Sequence, residues 1–86
     1  MHYLKIAGAA LNQTPLDWAG NRARILEAIA QARAQGVQVL CLPELCISGY
    51  GCEDAFHGEW VAEESLRSLK AILPETRHIA VAVGLP

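Results

Sequence analysis

The stretch ILEAIAQARAQGVQVLCLPEL, residues 25–45, decides the fold. Ile25, Ile29 and Ala32 recur at i, i+4 and i+7 with Leu26 beside them, while Arg24, Glu27, Gln31 and Gln35 occupy the other side, so a helix with one apolar stripe is expected to pack on a sheet. Gly36 supplies the left-handed residue that commonly closes a helix. Val37 to Leu42 is a short β-branched and apolar run that reads as a strand, and Pro43 and Glu44 follow at its carboxyl end.

Upstream, Tyr3 to Leu11 is almost wholly apolar, with small Ala and Gly among the larger residues. Such a run reads as a strand covered on both faces, where polar alternation is lost. Asn12 to Thr14 breaks it, Pro15 stiffens the break, and Asp17 is placed to cap a helix beginning near Trp18. Strand, helix and strand with short connections make a βαβ unit, whose strands are parallel neighbours joined by a right-handed crossover.

Downstream, residues 44–58 contain Gly49, Gly51 and Gly58 without a sustained period, and a connection of that length is usually functional. Helical spacing resumes at Ala62, Leu66, Leu69 and Leu73, which mark the expected packing face. Glu63 and Glu64 come early and Arg67 and Lys70 late, the order the helix dipole favours, and Pro74 ends the helix. Ile79 to Val83 is a third β-branched run. Repeats and low-complexity tracts are absent from the sequence.

The 86 residues are 52% hydrophobic and carry 7 Lys plus Arg against 9 Asp plus Glu, a net charge of −2. One hydrophobic unit is the most such a chain holds. Basic residues are scattered singly from Lys5 to Arg77, so no cationic face exists to displace counterions from nucleic acid, and anionic membrane surfaces are excluded on the same ground. Neither a secretory leader nor an apolar run near the roughly 20 residues of a membrane span is present, and a cytoplasmic chain is expected. Three parallel strands with two crossover helices leave sheet edges and faces open, so the chain is expected to begin a larger domain, with a compact mini-domain or tight oligomer as the alternative.

Ligands of parallel α/β folds gather beyond the carboxyl ends of the strands, which is where Glu44 lies. Flanking Pro43 and Leu45 are expected to desolvate its carboxylate partly, suiting it to act as a general base; the alternative is a solvated loop carboxylate. Cys41, Cys46 and Cys52 are odd in number and lack zinc spacing, so they read as reduced thiols, Cys41 as a small core residue and the other two as loop residues. His2, His57 and His78 show no metal spacing, Glu53 and Asp54 suit loop ordering or capping, and Trp18 and Trp60 are expected to pack at helix starts.

Pro43-Glu44-Leu45 followed by Gly49-Tyr50 resembles the glutamate motif of the nitrilase, or carbon-nitrogen hydrolase, superfamily. Within it, Ala10-Leu11-Asn12-Gln13, Leu16-Asp17-Trp18, Gly20-Asn21, Arg24-Ile25 and Gly49-Tyr50-Gly51-Cys52-Glu53-Asp54 are similar to the glutaminase branch found in glutamine-dependent NAD synthetases, and Val83-Gly84-Leu85-Pro86 is similar to that family's third strand and following turn. The resemblance implies an α/β fold, the N-terminal βαβαβ portion of a nitrilase-like αββα four-layer sandwich, with residues 1–86 a partial glutaminase domain and the synthetase domain absent.

It further implies a glutamate, lysine and cysteine triad acting on glutamine, of which only the glutamate carries over, onto Glu44 as general base, with Tyr50 as a substrate-pocket wall. The lysine and cysteine belong to later strands, so Lys5 and Lys70 are not candidates and the chain alone is expected to be inactive. The resemblance gives this chain no cofactor of its own, places ATP and Mg in the synthetase domain, and implies homo-oligomeric full-length enzymes. A carbon-nitrogen hydrolase acting on another amide or nitrile, or a non-catalytic α/β assembly module, are the rival readings.

Overall fold

A computed structural model describes residues 3–49 and 59–84. The first strand, β1, spans Ile6–Gly8, and the first helix, α1, spans Trp18–Ala34. They are followed by β2 (Val39–Cys41), α2 (Glu59–Ile72) and β3 (Ala80–Ala82). The strands form one parallel sheet in the order β1-β2-β3, with Ala7, Leu40 and Val81 in one register row. Each strand is shorter than the apolar run containing it. The flanking residues still carry single inter-strand bonds, such as Ala9 N–H to Cys41 O at 3.1 Å and Leu42 N–H to Ala82 O at 2.9 Å.

Two right-handed crossovers advancing in the same direction put both helices on one face of the sheet. On that face Leu40 is buried with Ile25 and Ile29 of α1 and Ile72 of α2, and Ala7, Leu69, Val81 and Val83 pack around them. Helix α1 follows its sequence pattern. Asp17 caps it, Oδ1 accepting the Gly20 N–H at 3.1 Å, and Asn21, Ile25, Ile29 and Ala32 form its buried stripe. At the other end Gly36 adopts φ +74°, and the Lys5 ammonium donates to Gln35 O at 2.5 Å, where a cation complements the helix terminus. Lys5 therefore holds the base of the fold, far from the strands' carboxyl ends.

Helix α2 turns a different face inward from the expected one. Val61, Ser65, Ser68 and Ile72 are buried, whereas Leu66 and Leu73 are 48% and 56% exposed. The apolar periodicity misassigns the face because two inward positions are serines, small enough to sit at the helix contact, while the leucines lie about a quarter turn away. The helix ends at Ile72, and Pro74 falls in a 3₁₀ turn, Leu73–Glu75. Trp18 and Trp60 meet edge to face near the starts of the two helices, with ring centroids 6.4 Å apart.

The opposite face of the sheet carries the rows Ile6–Val39–Ala80 and Gly8–Cys41–Ala82. It is open, with Ile6 62% exposed and Cys41 exposed. The expectation of cover on both faces is thus met on one. Cys41 is a residue of this small-side-chain face, which corrects its assignment to the core: strand alternation turns it away from Leu40.

The inward face of α2 is testable by truncation. Ile72→Ala should lower stability by about 2–5 kcal/mol or unfold the chain outright, and Leu66→Ala by less than ~1 kcal/mol. Urea titrations of the two variants should separate clearly, and the reverse ranking would restore the leucine face.

Candidate active site

Glu44 begins the turn that leaves β2, beyond the carboxyl ends of all three strands. Its side chain is exposed and makes no hydrogen bond or ion pair among the described residues. This corrects the expected desolvation: Pro43 and Leu45 are half-buried, but Glu44 between them is exposed. Position, not burial, is what marks this residue.

The backbone that follows it is closely held. Leu45 adopts φ +55°, an unusual conformation for a branched side chain, and its carbonyl accepts the Gly49 N–H at 2.8 Å. Cys46, Ile47 and Ser48 are each at most 1% exposed. Buried carbonyls require donors, and the three here take theirs from the segment preceding α1 and from its first turn. Cys46 O accepts from Gln13 Nε2 at 2.7 Å, Ile47 O from Asn21 Nδ2 at 3.2 Å, and Ser48 O from Leu16 N–H at 2.7 Å.

On the other side, the Ile47 N–H donates to Gly84 O at 3.2 Å, which ties the turn to the end of β3. Two glycines allow this closeness. A Cβ at Gly84 would collide with the Leu45 backbone nitrogen, and one at Gly49, where φ is +86°, would lie 2.6 Å from Thr14 O. The segment that presents Glu44 is therefore sandwiched between the β1–α1 connection and the β3 end.

Asn21 is a fully buried polar residue of this assembly, in the first turns of α1. All its hydrogen-bonding capacity is used. Nδ2 donates to Thr14 O at 2.8 Å and to Ile47 O, while Oδ1 accepts from Thr14 N–H at 2.9 Å and from the Arg24 guanidinium at 2.8 Å. Sequence reasoning quoted Gln13, Asn21 and Arg24 as motif residues without giving them work. A polar Asn on the apolar stripe of α1, one turn before Ile25, was the available signal.

The cysteines separate by environment. Cys46 is the reduced loop residue expected, in the turn after β2, but it is buried beside Gly84 O, and burial pushes its thiol above the ordinary cysteine range, so it is a protonated packing residue. Lys70 is exposed on α2. Tyr50, Cys52, Glu53, Asp54, His2 and His57 lie outside the described residues. An apolar groove of about 330 Å³ between α2 and β3, lined by Leu69, Leu73, Val81 and Val83, does not include Glu44.

Because native Cys46 holds its proton more tightly than the unfolded thiol, its contribution to stability is complete below the pKa of the unfolded thiol and is lost as pH rises through the elevated folded value. At neutral pH, iodoacetamide should modify Cys41 at least ~10-fold faster than Cys46. Peptide mass spectrometry reads the order, and equal rates would show that the segment after Glu44 is not closed.

Comparison with known proteins agrees with this architecture. Residues 5–86 match the carbon-nitrogen hydrolase family model. The chain is 43% identical over 83 residues to the glutamine-dependent NAD(+) synthetase of Rattus norvegicus, covering 94% of this chain and 11% of that protein. It is 37% identical over 86 residues to a putative glutamine-dependent NAD(+) synthetase of Schizosaccharomyces pombe, covering 98% of this chain and 12% of that one. Among solved structures, a glutamine-dependent NAD(+) synthetase from Cytophaga hutchinsonii superposes with a TM-score of 0.94 at 51% identity, over 96% of this chain and 14% of that one. The chain thus spans about 12% of the length of the curated relatives it matches. With a parallel α/β sheet, a Pro-Glu-Leu turn at its carboxyl edge and a family match running from Lys5 to the last residue, this chain belongs to the carbon-nitrogen hydrolase family.

Proposed function

We propose that this chain is part of a glutamine amidohydrolase domain that supplies ammonia for NAD synthesis, and that Glu44 is its general base. The observation that carries the reading is the placement of Glu44 at the carboxyl edge of the sheet, on a backbone held from both sides, in a chain 51% identical over nearly its whole length to a glutamine-dependent NAD(+) synthetase. A base must be held where the proton is, and such a mounting suits that task.

In this reading a cysteine from a later part of the domain is the nucleophile. Glu44 takes the thiol proton, the sulfur attacks the side-chain amide carbon of glutamine, and the proton passes to the departing ammonia. Water then attacks the glutamyl thioester with Glu44 again accepting a proton, so that glutamate leaves and the thiol is restored. A lysine from the same later part stabilises the developing oxyanion, and Tyr50 forms a wall of the substrate pocket. The working enzyme is cytoplasmic and homo-oligomeric, and the rest of the domain and a synthetase domain are this chain's partners. ATP and Mg²⁺ belong to that synthetase domain; no group of three or more His, Cys, Asp or Glu side chains is placed to share a metal ion among the described residues here.

A chimaera tests this directly: the present chain replaces the matching segment of the Cytophaga hutchinsonii synthetase, and NAD formation is measured with glutamine and with free ammonia. Gln is nearly isosteric with Glu but cannot accept a proton, so Glu44→Gln should lower glutamine-dependent turnover by about 100-fold or more and leave ammonia-dependent turnover near the parent's. The 86-residue chain by itself should release no ammonia from glutamine above a Glu44→Ala control. Near-normal glutamine use by the Glu44→Gln chimaera would refute the base assignment, and equal loss with both nitrogen sources would assign Glu44 to structure.

A further inference from the structure

We infer that Arg24 is a positioning residue for Glu44, acting through the side-chain amides of Gln13 and Asn21; this rests on the reading of Glu44 as the base. Arg24 lies on α1 and reaches both amides with one guanidinium. Nε donates to Gln13 Oε1 at 2.6 Å and a terminal nitrogen donates to Asn21 Oδ1 at 2.8 Å. Asp17 Oδ2, 3.6 Å from the same terminal nitrogen, anchors the group from the helix cap.

The chemistry of the three side chains fixes a direction. A guanidinium only donates, so it selects the carbonyl oxygen of each amide. With both oxygens turned toward Arg24, both NH₂ groups face the other way, and there they meet the buried carbonyls of the segment after Glu44: Gln13 Nε2 donates to Cys46 O and Asn21 Nδ2 to Ile47 O. Gln13 Nε2 also donates to Asn21 O at 3.1 Å, which stitches the two arms together. The Thr14 backbone also holds Asn21 in this orientation, whereas Gln13 Oε1 is held by Arg24: without the cation, a Gln13 amide flipped by half a turn presents an oxygen to Cys46 O, and a repulsive pair replaces a hydrogen bond two residues from Glu44.

Arg24 is also suited to this role by its exposure. Its side chain is 34% exposed, so truncation leaves the core intact, whereas Asn21 is fully buried and its loss would threaten the fold. The effect is one of orientation carried through two amides and two main-chain carbonyls, with no contact between Arg24 and the reacting atoms.

The test uses the chimaera with the Cytophaga hutchinsonii synthetase and five proteins: the parent, Arg24→Ala, Arg24→Lys, Glu44→Gln, and the double Arg24→Ala/Glu44→Gln variant. Arg24→Ala should reduce glutamine-dependent kcat by about 10-fold while ammonia-dependent turnover stays within twofold of the parent. Adding Arg24→Ala to Glu44→Gln should cost less than about twofold more, because a residue that acts through Glu44 has nothing left to position. Arg24→Lys, with a single ammonium unable to serve both amides in a fixed fork, should recover part of the loss at most.

Unchanged glutamine turnover in Arg24→Ala, equal losses with both nitrogen sources, or a full 10-fold further loss in the Glu44→Gln background would each overturn the inference. Normal glutamine use by Glu44→Gln alone would instead overturn the base assignment on which it rests. Should Arg24→Ala prove too unstable to purify, Gln13→Leu carries the same three comparisons, with the same outcomes deciding.

Discussion

Three consecutive main-chain carbonyls, those of Cys46, Ile47 and Ser48, are buried at the carboxyl edge of the sheet, and each must find a donor. Leaving one such group unpaired costs about 1–3 kcal/mol, so the three together constrain the local structure as strongly as a large part of the core. They explain why the β1–α1 connection runs where it does, why an Asn sits on the apolar stripe of α1, and why glycines stand at positions 49 and 84. They also explain how an exposed carboxylate can be well placed. Glu44 is not gripped by its own side chain; the residues after it are gripped by their backbone.

Elements of the fold with local causes were legible in the sequence. The α1 stripe, the Asp17 cap, the Gly36 closure, the parallel order of three strands and the Pro74 boundary each follow from a few neighbouring residues, and the structure has them where they were expected. Elements decided by partners distant in sequence were less so. Ser65 and Ser68 are buried on α2, which a count of leucines cannot reveal. Cys41 alternates onto the open face of the sheet although the run around it is continuously apolar. The position of Glu44 was visible from strand order and the resemblance, while the work of Gln13, Asn21 and Arg24 depends on contacts spanning up to 33 residues, for which the sequence offers only residue identity.

The open face of the sheet follows from the same economy of small side chains. Gly8, Cys41, Ala80 and Ala82 leave it shallow beside Ile6 and Val39, a surface suited to close contact with another layer. The buried polar network of Gln13, Asn21 and Arg24 lies at the carboxyl edge, while the helix-bearing face of the sheet is held by apolar contact. A site at that edge can keep its geometry while the layers around it carry the stability, which is how parallel α/β domains commonly divide the two tasks.

The central claim is that the segment after Glu44 is a fixed part of the fold, and native-state hydrogen exchange reads it most directly. The Leu16 and Ile47 amides, bonded to Ser48 O and Gly84 O, should exchange as slowly as the core amide of Leu40, all three opening only with global unfolding. Exchange of Leu16 and Ile47 at the rate of exposed loop amides, with Leu40 still protected, would contradict the account.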